Sequence, residues 1–285
     1  MHKRILLLGN TGKMGRALED VFAHDYSVFG KNTADFDACD FVQVQNLVKE
    51  VAPDIIINTV AFLGIDPCEI EPAKAFTLNT LYPKLLAELS NKQKCLLVHF
   101  STDAVFNDDK SDFCTEKDVA IPLNIYGFTK YGGDCVIQSI AENYYIFRVP
   151  VLFGETIKNT QFVEKMLQMA GQGKKVFKIS DDIISSPTYS HDAAKEISKI
   201  LEGSPDKGLY HLANEGKGSL YELIKEIFDC LDLDVSVQKA SYRDFPFLGR
   251  KNTYTPISSV KIDSMRPWKA AVKDYCANIN NKLYG

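Results

Sequence analysis

The stretch Ile5-Leu6-Leu7-Leu8-Gly9-Asn10-Thr11-Gly12-Lys13-Met14-Gly15 joins a short apolar run to three regularly spaced glycines. The apolar run is typical of a buried strand, and the glycines predict a tight turn into a helix. Gly9 permits the turn, Gly12 lets the backbone approach a pyrophosphate, and Gly15 lets the helix pack closely against the sheet. Glycines alone are equally compatible with a flexible turn, but their position between a strand and a helix favours a dinucleotide-binding loop.

Short apolar runs alternate with helical patterns through the first half of the chain, as in stacked βαβ units. Strands are predicted over 5–8, 26–29, 55–58, 96–100 and 145–149, and helices over 14–22, 42–51, 73–89 and 126–141. Crossovers between parallel strands are almost always right-handed, so helices cover both faces and ligands collect at the carboxyl ends of the strands. The sequence therefore predicts an α/β fold built on a Rossmann-type, doubly wound parallel sheet.

The regular alternation stops near Gly154. We predict a dinucleotide-binding domain over 1–154 and a smaller C-terminal substrate-binding region over 155–285 that is interleaved with returning sheet elements. In this second part we expect helices over 162–170 and 220–231 and after Pro267, and strands over 176–179 and 209–212. Ser219 and Glu222 form a capping-box pattern at the start of the middle helix.

Composition excludes several classes of protein. The 285 residues are 45% hydrophobic and carry a formal net charge of -4, which argues against a nucleic-acid surface. The N-terminus enters an apolar strand too short for a signal-peptide core, and no stretch reaches membrane-spanning length, so we expect a cytoplasmic protein. The seven cysteines are scattered without metal-ligand spacing and are expected to be free thiols.

Tyr126 and Lys130 are four residues apart on a predicted helix, so both side chains project from one face. The ordinary explanation for such a pair is a surface tyrosine packed on a lysine stem. Thr102, at the end of the fourth predicted strand, reaches the same sheet edge and favours a catalytic interpretation. An ammonium group lowers the pKa of a neighbouring phenol, so we predict that Lys130 tunes Tyr126 for proton transfer while Thr102 binds the substrate oxygen.

Other histidines and arginines have either a structural or a ligand-binding explanation. His99 and His211 lie on predicted strands without a second ligand at metal spacing, so we expect packed side chains and no metal. Arg148 is either a buried structural cation or a group that reaches the ligand. A diphosphate clamp could include Arg243, Arg250, Lys251 and Arg266, with Arg250 the first choice.

A longer series of motifs carries a family resemblance. The series is GNTGKMG (9–15), APDIIIN (52–58), STDAVF (101–106), YGFTKYGGD (126–134), RVPVLFG (148–154), PT (187–188) and GLYHLA (208–213). Over almost its whole length the chain resembles the extended short-chain dehydrogenases and, within them, the dTDP-4-dehydrorhamnose reductase family. Members of this family reduce the C4 ketone of a nucleotide-linked 6-deoxy-hexose for the synthesis of cell-surface polysaccharides.

The resemblance implies roles for individual residues. Tyr126 would donate the proton, Lys130 would bind the nicotinamide ribose, and Thr102 would bind the substrate carbonyl. Further cofactor contacts are implied for Gly9, Thr11, Gly12, Lys13, Met14, Gly15, Asp37, Ala61, Phe62 and Leu63, and substrate contacts for Thr102, Asp103, Val151 and Arg250.

The chain departs from the family pattern where the substrate would bind. Ala104 stands in place of a tyrosine, Val151 in place of a tryptophan, Asp182-Ile183 in place of Asp-Gln, and Arg250-Lys251 in place of Arg-Pro. Related 4,6-dehydratases carry an acidic residue at the position of Ala104, and alanine has no acid-base chemistry. Dehydration is therefore not expected.

The second strand bears on cofactor preference. An acidic residue at its end would bind the ribose 2′-hydroxyl of NAD, but this chain has Phe29-Gly30-Lys31 there. We therefore predict NADPH as the cofactor, with NADH also accepted, and Lys31 as the partner of the 2′-phosphate. The alternative is that Lys31 is an ordinary solvated loop charge.

Two other functions stay open at this point. A nucleotide-sugar 4-epimerase would share the threonine, tyrosine and lysine. A regulatory subunit similar to the β subunit of methionine adenosyltransferase would keep the glycine-rich loop without needing a proton donor. The retention of Thr102, Tyr126 and Lys130 together favours the reductase, and a homodimer is an open hypothesis for its assembly.

Overall fold

The computed structural model describes residues 2–156 and 161–284, so residues 1, 157–160 and 285 of the two predicted regions lie outside the described range. The strands are β1 (Arg4–Leu8), β2 (Ser27–Lys31), β3 (Ile55–Asn58), β4 (Leu96–Thr102), β5 (Tyr144–Val149), β6 (Leu152–Phe153), β7 (Val176–Ser180), β8 (Ile184–Ser185), β9 (Thr188–Tyr189), β10 (Gly208–His211), β11 (Asn214–Glu215), β12 (Gly218–Ser219), β13 (Ser236–Ala240) and β14 (Met265–Pro267).

The helices of the same ranges are α1 (Lys13–Phe22), α2 (Phe41–Val51), α3 (Ile65–Ile70), α4 (Pro72–Phe76), α5 (Tyr82–Gln93), α6 (Ile125–Ile140), α7 (Phe162–Gly171), α8 (Ser190–Gly203), α9 (Leu220–Cys230) and α10 (Trp268–Tyr284). A π-helical segment, Thr77–Leu81, joins α4 to α5. None of the described helices combines the length and the apolar character of a membrane-spanning segment.

A six-stranded parallel sheet forms the centre of the protein, with the strand order β10-β5-β4-β3-β1-β2. The chain places β2 on one side of β1 and β3 on the other, so the direction in which strands are added to the sheet changes between β1 and β3. Ligands of open α/β sheets bind in the crevice at such a switch point. The glycine-rich loop after β1 and the segment after β3 flank this crevice. The predicted α/β fold with a doubly wound parallel sheet is confirmed.

Alternate residues of each central strand enter two separate cores, as the two-residue period of a strand requires. One core packs the sheet against α1 and α8, and the other packs it against α2, α5 and α6. Because helices cover both faces, β1 and β3 are apolar without alternation, with fully buried runs at Ile5–Leu8 and Ile55–Ile57.

A smaller C-terminal region has its own apolar core. Aromatic and aliphatic side chains of β7, α9 and α10 pack together there, with Val163 of α7 fully buried among them. The predicted capping box at Ser219 and Glu222 is confirmed at the start of α9. Strand β10 leaves this region and adds to the edge of the central sheet beside β5.

The boundaries predicted for the helix over 73–89 are wrong. The chain forms α4, the π-helical segment and then α5, which continues to Gln93. Pro83 has no N–H to donate to the carbonyl of Asn79 four residues earlier, so a regular helix is interrupted there. That carbonyl instead faces α6, where a Cβ added to Gly133 would lie 2.4 Å from Asn79 O.

We predict that Gly15→Ala destabilises the fold at the glycine-rich loop. A Cβ at this position would lie 2.2 Å from the carbonyl oxygen of Gly9, which belongs to backbone and cannot swing away. We expect a loss of roughly 1–3 kcal/mol in the free energy of unfolding, measured by urea denaturation.

Gly171→Ala is the matched control, because a Cβ there meets no heavy atom within 4 Å. Its free energy of unfolding should stay within about 0.5 kcal/mol of wild type or rise slightly. A Gly15→Ala protein as stable as this control would contradict the close approach.

Candidate active site

The loop after β1 presents backbone N–H groups to the crevice. Gly9 has a φ of 92°, which is reserved for glycine, and its N–H donates to Lys31 O at 2.7 Å. Gly12 is the N-cap of α1 and, as glycine, offers no side-chain cap to the first turn. The uncapped N–H groups of α1 and its positive dipole end are therefore suited to an anion.

A cavity of about 350 Å³ opens beside this loop. It is lined by Gly12, Lys13, Met14, Thr59, Ala61, Leu63, Gly64, Phe100, Ser101, Thr102, Tyr126, Lys130, Val149, Pro150, Val151, Leu152, Gln161 and Phe162. The structure thus brings the predicted proton-transfer residues together with part of the predicted dinucleotide loop and with Val151. The other predicted contacts in these segments do not line the cavity, namely Gly9, Thr11, Gly15, Phe62 and Asp103.

Thr102 and Tyr126 reach the cavity from different elements. Thr102 ends β4, and its hydroxyl donates to Asp103 Oδ1 at 3.1 Å. Tyr126 lies in the first turn of α6, whose N-cap Asn124 accepts a hydrogen bond from the Gly127 N–H at 2.9 Å. This cap fixes the start of the helix and hence the position of the phenol.

The expected lowering of the Tyr126 pKa does not occur. Burial raises the pKa of this phenol above its usual value, although the hydrogen bond with the Thr102 side chain opposes the rise. The expectation considered only the nearby ammonium, whereas desolvation of the phenolate is the larger effect here. Tyr126 therefore holds its proton at neutral pH.

Lys130 is almost completely buried on the next turn of α6. Its Nζ donates to Phe100 O at 2.6 Å. Burial lowers the pKa of Lys130 to about 8, and the carboxylate of Asp134 opposes this change. The amine is therefore mostly charged at neutral pH and titrates just above it.

Asn79, which the sequence motifs did not single out, holds the segment after β3 in place. Its Oδ1 accepts from Phe62 N at 2.8 Å, and its Nδ2 donates to Phe62 O at 3.0 Å and to Thr129 Oγ1 at 3.1 Å. Thr129 lies on α6 between the tyrosine and the lysine. One buried amide therefore ties the segment that contains Ala61 and Leu63 to the helix that carries Tyr126 and Lys130.

Lys13 was predicted as a cofactor contact, and it lines the cavity, but its ammonium has a protein partner. Lys13 Nζ lies 2.9 Å from Glu164 Oε2 and donates to Leu152 O at 3.0 Å. Both charged side chains are at least nine-tenths buried. The ion pair connects the glycine-rich loop to α7 of the C-terminal region. Among the described residues, Glu164 Oε1 has no hydrogen-bond partner.

Two further predicted cofactor contacts, Lys31 and Asp37, lie outside this cavity. Lys31 ends β2 and is half-buried, and a Cβ added to the preceding Gly30 would lie 2.4 Å from Asn10 Nδ2. Asp37 is exposed, and its Oδ1 accepts from Cys39 N at 2.9 Å. Neither side chain lines the cavity.

Asp103 was predicted to contact substrate, but its oxygens face protein donors. Oδ2 accepts from Thr255 Oγ1 at 2.8 Å and from Ser185 Oγ at 3.0 Å, while Oδ1 accepts from Thr102. Burial raises the pKa of this carboxyl group, and the three hydroxyl donors oppose the rise. Asp103 thus fastens the end of β4 to the C-terminal region.

A second cavity of about 370 Å³ shares Phe162 with the first. Its remaining lining residues are Met166, Lys174, Phe177, Lys178, Ile179, Ser180, Ile183, Leu220, Phe245, Pro246, Phe247 and Lys251. Arg250 lines neither cavity; its side chain is exposed, and its carbonyl oxygen accepts a hydrogen bond from Asn124 Nδ2 at 2.9 Å.

Ion pairs and burial indicate the roles of Arg148, Arg266, His99 and His211. Arg148 is a buried structural cation, because its guanidinium lies 3.0 Å from Asp134 Oδ2. Arg266 pairs with Asp192 and Asp274 between α8 and α10, which removes it from a diphosphate clamp. Burial lowers the pKa values of His99 and His211, so both are neutral packed side chains.

The chain matches known proteins along almost its whole length. Residues 3–281 match the family described as the RmlD substrate binding domain. A dTDP-4-dehydrorhamnose reductase from Aggregatibacter actinomycetemcomitans is 29% identical, covering 95% of this chain and 97% of the relative. The spore coat polysaccharide biosynthesis protein SpsK of Bacillus subtilis is also 29% identical, covering 95% of this chain and 96% of that protein.

Solved structures agree with this similarity. A dTDP-4-dehydrorhamnose reductase from Bacillus anthracis in complex with NADP superposes with a TM-score of 0.91 at 27% identity, over 98% of this chain and all of the other. A Clostridium acetobutylicum protein with the same name gives a TM-score of 0.90 at 26% identity, over 97% and 99% of the two chains.

We predict that Lys13→Met is strongly destabilising, because it leaves the Glu164 carboxylate buried without its cation. A loss of roughly 3–5 kcal/mol in the free energy of unfolding is expected for one broken partner of a buried pair. Chemical denaturation of the purified protein measures it.

The double variant Lys13→Met/Glu164→Gln removes both charges and should recover most of this stability. If the double variant is no more stable than Lys13→Met alone, the ion pair is not what holds α7 to the loop.

Proposed function

The chain belongs to the RmlD substrate binding domain family, and from this membership we propose that it reduces the C4 ketone of a nucleotide-linked 4-keto-6-deoxy-hexose with NAD(P)H. The observation that carries the proposal is a single cavity. Thr102, Tyr126 and Lys130 line it together with Gly12 and Met14 of the dinucleotide loop. A proton donor and a pyrophosphate-binding loop on one cavity wall are what reduction of a carbonyl by a dinucleotide requires.

The residues present fit a dinucleotide. The uncapped N-terminus of α1 suits its pyrophosphate, and the buried amine of Lys130 suits the hydroxyls of the nicotinamide ribose. When bound, the reduced nicotinamide supplies the hydride. The Bacillus anthracis relative that was solved with NADP supports this choice of cofactor.

Tyr126 supplies the proton. Its phenol is protonated at neutral pH because burial raises its pKa, so the proton is available when negative charge develops on the substrate oxygen. Thr102 lines the same cavity and orients that oxygen by turning its hydroxyl hydrogen away from Asp103 Oδ1. The charged amine of Lys130 then stabilises the phenolate that remains.

The second cavity is the proposed site of the nucleotide. Phe162 and Phe247 offer apolar surfaces to a base, and Lys174, Lys178 and Lys251 offer positive charge to a diphosphate. Since Phe162 belongs to both cavities, a substrate can extend from the reacting ketone in the first to its nucleotide in the second. Lys251 lines this cavity whereas Arg250 does not, so Lys251 is the better candidate for the diphosphate contact.

We place the reaction in the supply of precursors for polysaccharides. The support is the similarity to SpsK, which is named for spore coat polysaccharide biosynthesis. Retention of Thr102, Tyr126 and Lys130 on one cavity wall favours an enzyme over a purely regulatory subunit.

We predict that Tyr126→Phe lowers turnover by a factor of roughly 100 or more while dinucleotide binding stays nearly intact. The phenyl ring preserves the shape of the site but has no proton to give. The measurement is NADPH oxidation at the absorbance of the reduced nicotinamide, with dTDP-4-dehydrorhamnose and its UDP-linked counterpart as probes.

Tyr131→Phe is the matched control, because Tyr131 lies on the same helix but outside the cavity, with its ring centroid 6.0 Å from the Arg148 guanidinium carbon. It should turn over at the wild-type rate. Equal rates for the two variants would reject Tyr126 as proton donor. NADPH binding without oxidation of either probe by wild type would reject the reductase and favour an epimerase or a regulatory subunit.

We predict that Lys31→Ala raises the KM for NADPH by about tenfold and leaves the KM for NADH within about twofold of wild type. Only NADPH carries the 2′-phosphate that the Lys31 ammonium would bind. Steady-state kinetics with each cofactor measure the two constants. Lys49→Ala, an exposed lysine of α2, should change neither constant, and equal effects of Lys31→Ala on both cofactors would exclude a 2′-phosphate contact.

A further inference from the structure

A chain of buried polar groups lies behind the cavity wall. Asn58 ends β3 and His99 is its in-register partner on β4, and both side chains are fully buried. Asn58 Nδ2 lies 3.0 Å from His99 Nδ1, and His99 Nε2 lies 3.5 Å from Lys130 Nζ. An amide, an imidazole and the amine of the proposed active site are therefore in series.

The direction of the amide is fixed by the backbone. Asn58 Oδ1 accepts a hydrogen bond from the Val60 N–H at 3.0 Å, and a backbone N–H can only donate. The other end of the amide, the NH2 group, must then face the histidine. Its target, His99 Nδ1, is consequently the unprotonated nitrogen of the ring.

The proton of the neutral ring is therefore on Nε2, the atom that faces Lys130. A charged Lys130 ammonium would face the Nε2–H group, and two donors cannot form a hydrogen bond. An uncharged amine has a lone pair that can accept a hydrogen bond from Nε2–H. A separation of 3.5 Å is long for a hydrogen bond, as expected when two donors face each other.

We propose that His99 is a positioning residue for Lys130, with its Nε2–H aimed by Asn58 so that it favours the uncharged amine over the ammonium. Phe100 O and the Asp134 carboxylate favour the ammonium form of Lys130, and the contact with His99 Nε2–H has the opposite effect. It thereby sets the pH at which Lys130 loses its charge. The role of Lys130 in turnover rests on the proposed function. The position of the proton on His99 is independent of that function.

Among the described residues, Asp134, Tyr126 and His99 are the titratable side chains whose charge bears on Lys130. Asp134 lies on the following turn of α6 and is paired with Arg148 of β5, whose positive charge offsets it. Tyr126, on the preceding turn, is uncharged at neutral pH because burial raises its pKa. His99 itself is uncharged, since burial and the charge of Lys130 lower its pKa.

The packing of α6 makes room for this contact. A Cβ added to Gly133 would lie 3.6 Å from His99 Nε2 and 2.4 Å from Asn79 O. A residue larger than glycine would push the helix away from the strand. The close approach brings an amine on α6 to an imidazole on β4.

The first test is the tautomer of His99 in the resting protein, which needs no substrate. In two-dimensional 1H–15N spectra of protein with labelled histidine, the signal of His99 among the five histidines is the one lost in His99→Gln. We expect a neutral ring with the proton on Nε2 between about pH 6 and about pH 9. A proton on Nδ1, or an imidazolium, overturns the proposal whatever the enzyme reduces.

The second test is the pH dependence of turnover. Because Lys130 must be charged to stabilise the phenolate, turnover should fall as pH rises through about 8. In His99→Gln, the terminal amide reaches the place of Nε2 and can turn its oxygen toward the ammonium. The midpoint of the alkaline limb in the plot of turnover against pH should then shift to higher pH by about 0.5 to 1 unit.

Ser90→Ala is the control for a buried polar group outside the site, since Ser90 Oγ donates only to Ala87 O at 2.9 Å on α5. Its alkaline limb should coincide with that of wild type. An unmoved or lowered limb in His99→Gln contradicts the proposal. A wild-type protein with the expected tautomer but no reductase activity would reject the proposed function alone.

Discussion

The in-register parallel pairing of β1, β3 and β4 is the constraint on which the rest of the site depends. Leu8 pairs with Asn58, and Asn58 pairs with His99, so the three strands reach the crevice at the same level. Side chains alternate along a strand, and a slip of one residue would turn Asn58 and His99 to the opposite face. The same register brings Thr102, three residues beyond His99, to the cavity.

The helix that carries Tyr126 and Lys130 is held to this edge by close contacts rather than by apolar packing alone. Gly133 allows α6 to approach the π-helical segment, where Asn79 bonds both the backbone at Phe62 and the hydroxyl of Thr129. On the other side of the crevice, the ion pair of Lys13 and Glu164 joins the glycine-rich loop to α7. Polar contacts therefore join the elements around the cavity, and apolar cores supply most of the stability of the fold.

The sequence predicted the parts of the molecule that depend on local patterns. The strand, glycine loop and helix at the N-terminus and the spacing of Tyr126 and Lys130 are local signals, and the structure contains them. Contacts between distant residues left no such signal. Three features depend on which elements pack together and on how much water remains between them. They are the pairing of Lys13 with Glu164, the exclusion of Arg250 from both cavities and the raised pKa of Tyr126. Asn79, whose amide contacts residues distant in sequence, was missed for the same reason.

The most direct test of the reductase is the fate of the transferred hydrogen. NADPH carrying deuterium at the reactive position of nicotinamide C4 would be incubated with dTDP-4-dehydrorhamnose, and the sugar product would be analysed by NMR and mass spectrometry. We expect about one deuterium at sugar C4 for each NADPH consumed, because a reductase transfers the hydride to the product and does not return it to the cofactor. Unlabelled sugar, or sugar epimerised without net consumption of NADPH, would contradict it.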